Sequence, residues 1–266
     1  MMGRRTTAAY CPINALKGIA SKTNKIRLCT GSLTPQVRNP VRTAKQWATL
    51  FEISEGRAIM GVGMGAGTPT LIKREFEGLA SLRHDTMLNP GELYKQRGKV
   101  FDECLDVMRQ LWAEDKVTYK GEYLSFNEIT LGYARPSAMP PVLVGSGIYF
   151  PTEVGGPLHH GWKEKNAGQY LPGKLTRVVD YGDGWITPHV TPQEYATHFK
   201  TIEKIGAERA PGKQFARAWN CFACVSDGYR EGWESVRNHL EDFHGPPIRD
   251  DVVDRWAVAG PADQIA

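Results

Sequence analysis

Residues 25–65, KIRLCTGSLTPQVRNPVRTAKQWATLFEISEGRAIMGVGMG, constrain the fold more than any other stretch of the chain. Ile26, Leu28 and Leu33 give the first part the apolar character of a strand. Asn39-Pro40 opens a helix, since proline is tolerated in a first helical turn. Val41, Ala44, Ala48 and Phe51 then recur at three- and four-residue steps, which makes one face of that helix apolar. Ser54-Glu55-Gly56 supplies the left-handed residue on which helices end. Ala58 to Val62 reads as a second, buried strand running into glycines. Strand, covering helix and strand make a parallel βαβ unit.

The same alternation continues downstream. Pro12 to Ser21 reads as a helix before the first strand. Gly91 to Trp112 is a long helix with Val100, Cys104, Val107, Met108 and Leu111 on its apolar stripe. Val117 to Phe126 turns around Lys120-Gly121 as a small hairpin. Pro141 to Gly145 is short and apolar throughout, as strands are when helices cover both faces of a parallel sheet. Leu175 to Asp180 is a short helix and Gly184 to Thr187 the next strand. Thr191-Pro192-Gln193-Glu194 is a capping box for a helix to about Ala207. Ala216 to Val225 reads as one strand, Trp233 to Phe243 as a helix, and the last residues as the start of another. Strands alternating with helices predict a parallel α/β fold.

Several function classes find no support in the sequence. The net charge of +4 over 266 residues is mild, and no Lys/Arg run marks a nucleic-acid surface. No apolar run is long enough to span a membrane. The first residues, MMGRRTTAAY, lack the apolar core of a secretory signal, so a cytoplasmic location is expected. Of the five cysteines, Cys221 and Cys224 form C-x-x-C. On a strand their side chains point to opposite faces, so they are expected to be ordinary buried cysteines and not a metal or redox pair. His159-His160 has no accompanying ligand pattern, and no metal site is expected. Gly61, Gly63 and Ala66 fit G-x-G-x-x-A, but residues 77–87 offer no strand ending in an acid, as a dinucleotide fold requires. Asp183 is expected to fix a strand entry, and Trp185 to lie in the core.

An ordered series of segments resembles the bacterial luciferase-like family of flavin- or F420-dependent oxidoreductases. The matching pieces are IRLCTG, RNPVRTAKQ, SEGR, GVGMG, YKQRGKVFDECLDVMRQLW, YKGEYLSF, PPVLVGSG, YGDGWIT and VAGPADQIA. The resemblance implies a (β/α)8 TIM barrel, which needs eight strands. The sequence supplies about five: 25–33, 57–63, 141–146, 184–187 and 216–225. Members of the family begin with a strand, a helix and a second strand before the matched region, and carry a last strand after the VAGPADQIA-like segment. The expectation is therefore a single, incomplete barrel domain over residues 1–266, a fragment, with a Pro/Gly-rich insertion at about 148–173. Its two unpaired sheet edges would be an aggregation hazard.

Barrels of this type place their sites at the C-terminal ends of the strands. That rule selects Thr30, Gly31, Gly63, Met64, Gly65, Gly145, Ser146, Gly147, Thr187 and the strand end near Val225. Glycines there let a flat ring approach the backbone closely. Arg42, in the first turn of its helix, combines a cation with the helix N-terminus, which suits a phosphate. In the family, the Arg of this NPxR position approaches the flavin phosphate, and the segment matching Gly145-Ser146-Gly147 makes a second phosphate contact. A surface ion pair is the alternative for Arg42, and a tight turn for Gly145 and Gly147.

The resemblance further implies reduced FMN with O2, or hydride transfer with coenzyme F420, acting on a small organic substrate. A homodimer and a flavin reductase that supplies reduced flavin belong to the same expectation. The family's catalytic His follows the second strand, a region without a match here, so no catalytic residue is nominated. The few protein acids and bases suit an enzyme whose cofactor carries the chemistry. A non-catalytic flavin-binding or subunit-pairing relative is the alternative. A nicotinamide dehydrogenase is a weaker third.

Overall fold

A computed structural model describes residues 11–64, 96–145, 175–187, 190–244 and 248–265 of the chain. Helix α1 (Pro12–Ala20) precedes strand β1 (Leu28–Cys29). A 3-10 turn (Pro35–Val37) leads into α2 (Pro40–Ile53), and β2 (Ala58–Gly63) follows. Next come α3 (Arg97–Ala113), the hairpin β3 (Val117–Lys120) and β4 (Ser125–Ile129), and β5 (Val142–Gly145). The chain continues through α4 (Thr176–Tyr181), β6 (Gly184–Thr187), α5 (Pro192–Arg209), β7 (Ala216–Trp219) and β8 (Phe222–Val225). It ends in α6 (Tyr229–His244), α7 (Asp250–Trp256), β9 (Ala257–Gly260) and α8 (Ala262–Ile265).

The expected five-stranded parallel sheet is present, in the order β1-β2-β5-β6-β7. Its register runs Leu28↔Ala58, Val62↔Val144, Leu143↔Gly184 and Ile186↔Ala218. Alternation along each strand sends Leu28, Met60, Val62, Val142, Val144 and Trp185 into one core with the helices. There they meet Ala44, Trp47 and Ala48 of α2, and Phe101, Leu105 and Met108 of α3. The Trp112 indole N–H donates to the Ala44 carbonyl at 3.0 Å and ties α3 to α2. The opposite, concave face carries mostly small residues: Gly61, Gly63, Gly145, Gly184, Ala216 and Ala218, with Ile59, Leu143 and Ile186 between them. Small residues on one face let the sheet curl toward that face.

Local chemistry sets the helix ends. The Asn39 side chain caps α2 by accepting from the Arg42 N–H at 3.0 Å. After α2, Gly56 takes φ 78°. The capping box at α5 is complete: Thr191 Oγ1 accepts from the Glu194 N–H, and Glu194 accepts from the Thr191 N–H. Glu103 on α3 holds the β3–β4 turn, accepting from the N–H groups of Glu122, Tyr123 and Leu124.

Asp183 organises the entering ends of three strands. Its Oδ2 accepts from the Val142 N–H at 2.9 Å, and its N–H donates to the Val142 carbonyl at 2.6 Å. Its own carbonyl accepts from the Ala216 N–H. Oδ1 accepts from the Arg109 guanidinium at 2.8 Å. These are the contacts of a strand-entry residue at the end of the sheet remote from the expected site. Trp185 is fully buried beside Tyr195, ring centroids 4.8 Å apart.

Three parts depart from the sequence reading. The first strand is regular only at Leu28–Cys29, and pairing resumes at Leu33↔Val62. From Cys29↔Ile59 to Leu33↔Val62, the first strand advances four residues and β2 three, so Thr30-Gly31-Ser32 contains one extra residue, as in a β-bulge. The segment 216–225 is two strands, because the ladder changes partner at Asn220-Cys221. β7 pairs with β6, whereas β8 pairs with β9 in a separate parallel sheet. Strand 257–260 and helix 250–256 are additional to the elements expected. With α6 they enclose a second core of Trp233, Val236, Leu240, Val252, Val253 and Trp256. The insertion at 148–173 and His159-His160 lie outside the described residues.

Candidate functional site

The C-terminal ends of β1, β2, β5 and β6 gather Thr30, Gly31, Gly63, Met64, Gly145 and Thr187 at one end of the sheet. Ser146 and Gly147, expected there too, lie outside the described residues, as does Gly65. The bulge shapes this end. Thr30 is buried, and its hydroxyl donates to the Gly61 carbonyl at 2.7 Å. The same carbonyl accepts from the Leu33 N–H at 2.8 Å. Glycine is required at position 61, because a Cβ would collide with the Thr30 carbonyl oxygen. A Cβ on Gly63 would stand 2.6 Å from the Ser32 hydroxyl oxygen, so that hydroxyl lies over the bare Gly63 backbone. Gly63 pairs with Gly145, and the two neighbouring strand ends together present no side chain. The Gly31–Ser32 peptide is cis.

Asn220 joins this group from the far edge of the sheet. Its N–H donates to the Thr187 carbonyl at 2.9 Å, and its side-chain Nδ2 donates to the Gly31 carbonyl at 3.0 Å. β1 and β7 are the two edges of the sheet. The bond from Asn220 to Gly31 therefore shows how far the sheet curls. Gln36, almost completely buried, donates from Nε2 to the Met64 carbonyl at 3.0 Å, and its Oε1 has no hydrogen-bond partner among the described residues.

Arg42 is exposed on the first turn of α2, and no ion pair joins it to another described residue. The helix end itself has less to offer an anion than the sequence suggests. Pro40 has no N–H, and the Arg42 N–H is already donated to Asn39 Oδ1. The positive charge at this helix start is the exposed Arg42 guanidinium.

Cys29 lies just before the bulge. Desolvation raises its thiol above the ordinary 9.0, against a weaker pull from the Gly61 backbone, so it is protonated at neutral pH. Cys221 and Cys224 are free and half-buried, more open than expected; Cys221 lies at the strand break and Cys224 in β8. Among the described residues no cluster of His, Cys, Asp or Glu could hold a metal ion. No helix among them is long and apolar enough to cross a membrane.

Sequence reasoning missed Ser32 and Asn220. Asn220 did leave a signal: asparagine is depleted in strands, and it stands in the middle of the run ARAWNCFACV. Ser32 left none, because its placement depends on the bulge.

A parallel strand–helix alternation with a glycine-floored site at the C-terminal strand ends defines a partial barrel of the TIM type. The model of the luciferase-like monooxygenase family matches residues 8–162, more than half of the chain. The chain belongs to that family. An F420-dependent glucose-6-phosphate dehydrogenase of Kineococcus radiotolerans is 34% identical over 138 residues, 50% of this chain and 35% of that protein. Two further curated relatives of the same description align over 40% and 39% of their length. The chain thus matches well under half of the length of these relatives. Among solved structures, an F420-dependent secondary alcohol dehydrogenase in complex with an F420–acetone adduct is similar at TM-score 0.69 and 19% identity. That similarity covers 97% of this chain and 73% of the other. The FMN complex of the oxygenating constituent of a Pseudomonas putida Baeyer–Villiger monooxygenase is similar at TM-score 0.60 and 14% identity, over 96% and 71% of the two chains. At these identities the structures establish the shared fold.

Proposed function

We propose that this chain is the cofactor-holding part of an oxidoreductase that uses F420 to transfer hydride to or from a small organic substrate. The observation that carries this reading is the position of the family match. It spans residues 8–162 and includes β1, α2, β2 and β5, the elements whose ends build the glycine floor and carry Arg42. The curated relatives named F420-dependent favour F420 over FMN.

The residues present suit such a cofactor. Gly63 and Gly145 add no side chain of their own to the strand ends. The Ser32 hydroxyl lies over Gly63, and the Gly145 position is lined by backbone alone, so a flat ring would meet the floor at Ser32 and at the bare Gly145 backbone. Thr30 holds the bulge against Gly61 and keeps that floor rigid. Arg42 would bind the phosphate through its guanidinium, with Ser146 and Gly147 as the second contact. Met64 would pack its thioether against the edge of the ring. Bound there, the cofactor supplies the electron chemistry: hydride transfer with F420, or use of O2 with reduced FMN. The protein's part is to bind, orient and exclude water.

The test is titration of the purified chain with F420, followed by its fluorescence, and in parallel with FMN. Saturable F420 binding is expected, weakened about tenfold in Arg42→Ala by loss of charge-assisted hydrogen bonds to the phosphate. Binding of FMN alone would move the assignment to the FMN branch of the family. Binding of neither overturns the reading.

A further inference from the structure

Asn220 sits where the sheet ladder breaks, and its two donors go to two different strand ends. The backbone N–H is donated to Thr187 at the end of β6. The side-chain Nδ2 is donated to Gly31 in the bulge after β1. A strand that simply continued would have no reason to place an asparagine there. The Asn220 N–H closes the β6–β7 ladder on Thr187, the ladder breaks immediately after it, and the side-chain amide reaches across to Gly31. Gly31 lies so close that even a Cβ there would stand 3.0 Å from Asn220 Nδ2.

The bulge needs such support. Its inner side is anchored by Thr30 Oγ1 and the Leu33 N–H, both donating to the Gly61 carbonyl. Gly31 and Ser32, at its crest, are exposed. β1 is also an edge strand of only two regular residues, so its own ladder cannot hold the crest.

We propose that Asn220 is a positioning residue. Its amide is a strut that fixes the Gly31–Ser32 crest, and with it the spacing between that crest and the Gly63 and Gly145 strand ends against which the cofactor ring packs. The cofactor part of this inference rests on the function proposed above. The strut itself does not. An asparagine suits the role because the Gly31 carbonyl needs a neutral donor on a short, stiff side chain. An aspartate of the same size would present oxygen to oxygen.

The experiment compares wild type with Asn220→Asp and Asn220→Ala in two measurements on the full chain. The first, without cofactor, is amide hydrogen exchange at Leu33 and Gly63, whose N–H groups close the bulge onto β2. Met60, midway along β2, whose N–H donates to the Pro141 carbonyl on the side of β5, serves as the internal control for folding. Exchange at Leu33 and Gly63 is expected to quicken about fivefold in Asn220→Ala and more in Asn220→Asp, with Met60 unchanged. The second is F420 titration, where the dissociation constant is expected to rise about fivefold in Asn220→Ala and about tenfold in Asn220→Asp. Unchanged exchange at Leu33 and Gly63 overturns the strut. Faster exchange with unchanged F420 affinity, in a wild type that binds F420, overturns the claim that the crest sets the spacing for the cofactor ring. Faster exchange in the variants of a wild type that binds neither F420 nor FMN supports the strut and overturns the functional reading instead.

Discussion

Replacing Arg57 tests how this chain delivers its first strand. The guanidinium makes five hydrogen bonds, all to neutral acceptors. Nε donates to the Ser54 carbonyl at 2.8 Å. Nη1 donates to Thr23 Oγ1 at 3.2 Å and to the Ile26 carbonyl at 3.0 Å. Nη2 donates to the Ala20 carbonyl at 3.2 Å and the Thr23 carbonyl at 2.7 Å. A guanidinium has five N–H bonds, so none is left over. Ala20 and Ser54 end α1 and α2, where helix dipoles favour a cation. The backbone carbonyl of Arg57 meanwhile accepts from the Leu28 N–H, which starts the ladder between β1 and β2. One residue thus gathers the ends of two helices and the loop before β1.

With a net value of about 1 kcal/mol per bond, and some carbonyls able to turn to water instead, Arg57→Met should cost about 4 kcal/mol. Arg57→Lys keeps the charge but has three donors and no planar fork, so about 2 kcal/mol is expected. Urea unfolding followed by tryptophan fluorescence would report both as shifts in midpoint at unchanged slope. An Arg57→Met midpoint within about 0.5 kcal/mol of wild type would refute the argument. Equality of Lys with wild type would show that charge, and not the fork, is what matters.

Asp183→Ala removes the acceptor of the Val142 N–H and the partner of Arg109, and should cost about 3 kcal/mol in the same assay. Asp183→Asn should cost about half as much, since an amide oxygen can serve Val142 while its NH2 group faces Arg109. Equal stability of all three would refute the strand-entry role. Acid should weaken the fold in two stages. Burial pushes His198 below 6.5, against a weaker pull from Glu194. The unfolded imidazole therefore takes up a proton more readily than the folded one, and stability begins to fall as pH drops below 6.5. At Glu194, burial alone would raise the carboxyl, but the Thr191 N–H and the Arg255 guanidinium outweigh it and hold it below 4.5. Its contribution is present at neutral pH and is lost as pH falls from 4.5 through the folded value. Thermal midpoints against pH should show His198→Gln losing the first stage and keeping the second; a flat profile between 6.5 and 4.5 in wild type would contradict the His198 assignment.

The central strands were legible because each is a short apolar run with a glycine or proline at its border. Val142 to Gly145 and Gly184 to Thr187 are examples. Helices α2, α3 and α5 carried their own punctuation in Asn39-Pro40, the stripe of α3 and the Thr191 capping box. Other features depend on distant partners. Alternation from Ala216 to Val225 continues past the point where the partner strand changes, and nothing local marks β9 as the partner of Phe222. The run DDVVDRWAVAG is too short for helix and strand periods to separate, so α7 and β9 went unread. At the site, the glycines and Arg42 stood out by composition and motif. The bulge that carries Thr30 to Ser32 exists only because Gly61, on another strand, leaves room for it.

The change of ladder partner at Asn220-Cys221 also bears on how the chain is made. All five strands of the main sheet are complete once Trp219 has been synthesised. The second core needs Trp256 and the last strand, and it contacts α5 through Arg255 and Glu194 at 2.6 Å. On the ribosome the sheet can therefore assemble while residues 222–265 are still being added. The terminal unit would then dock onto a body already formed, in keeping with units that fold in order from the N-terminus.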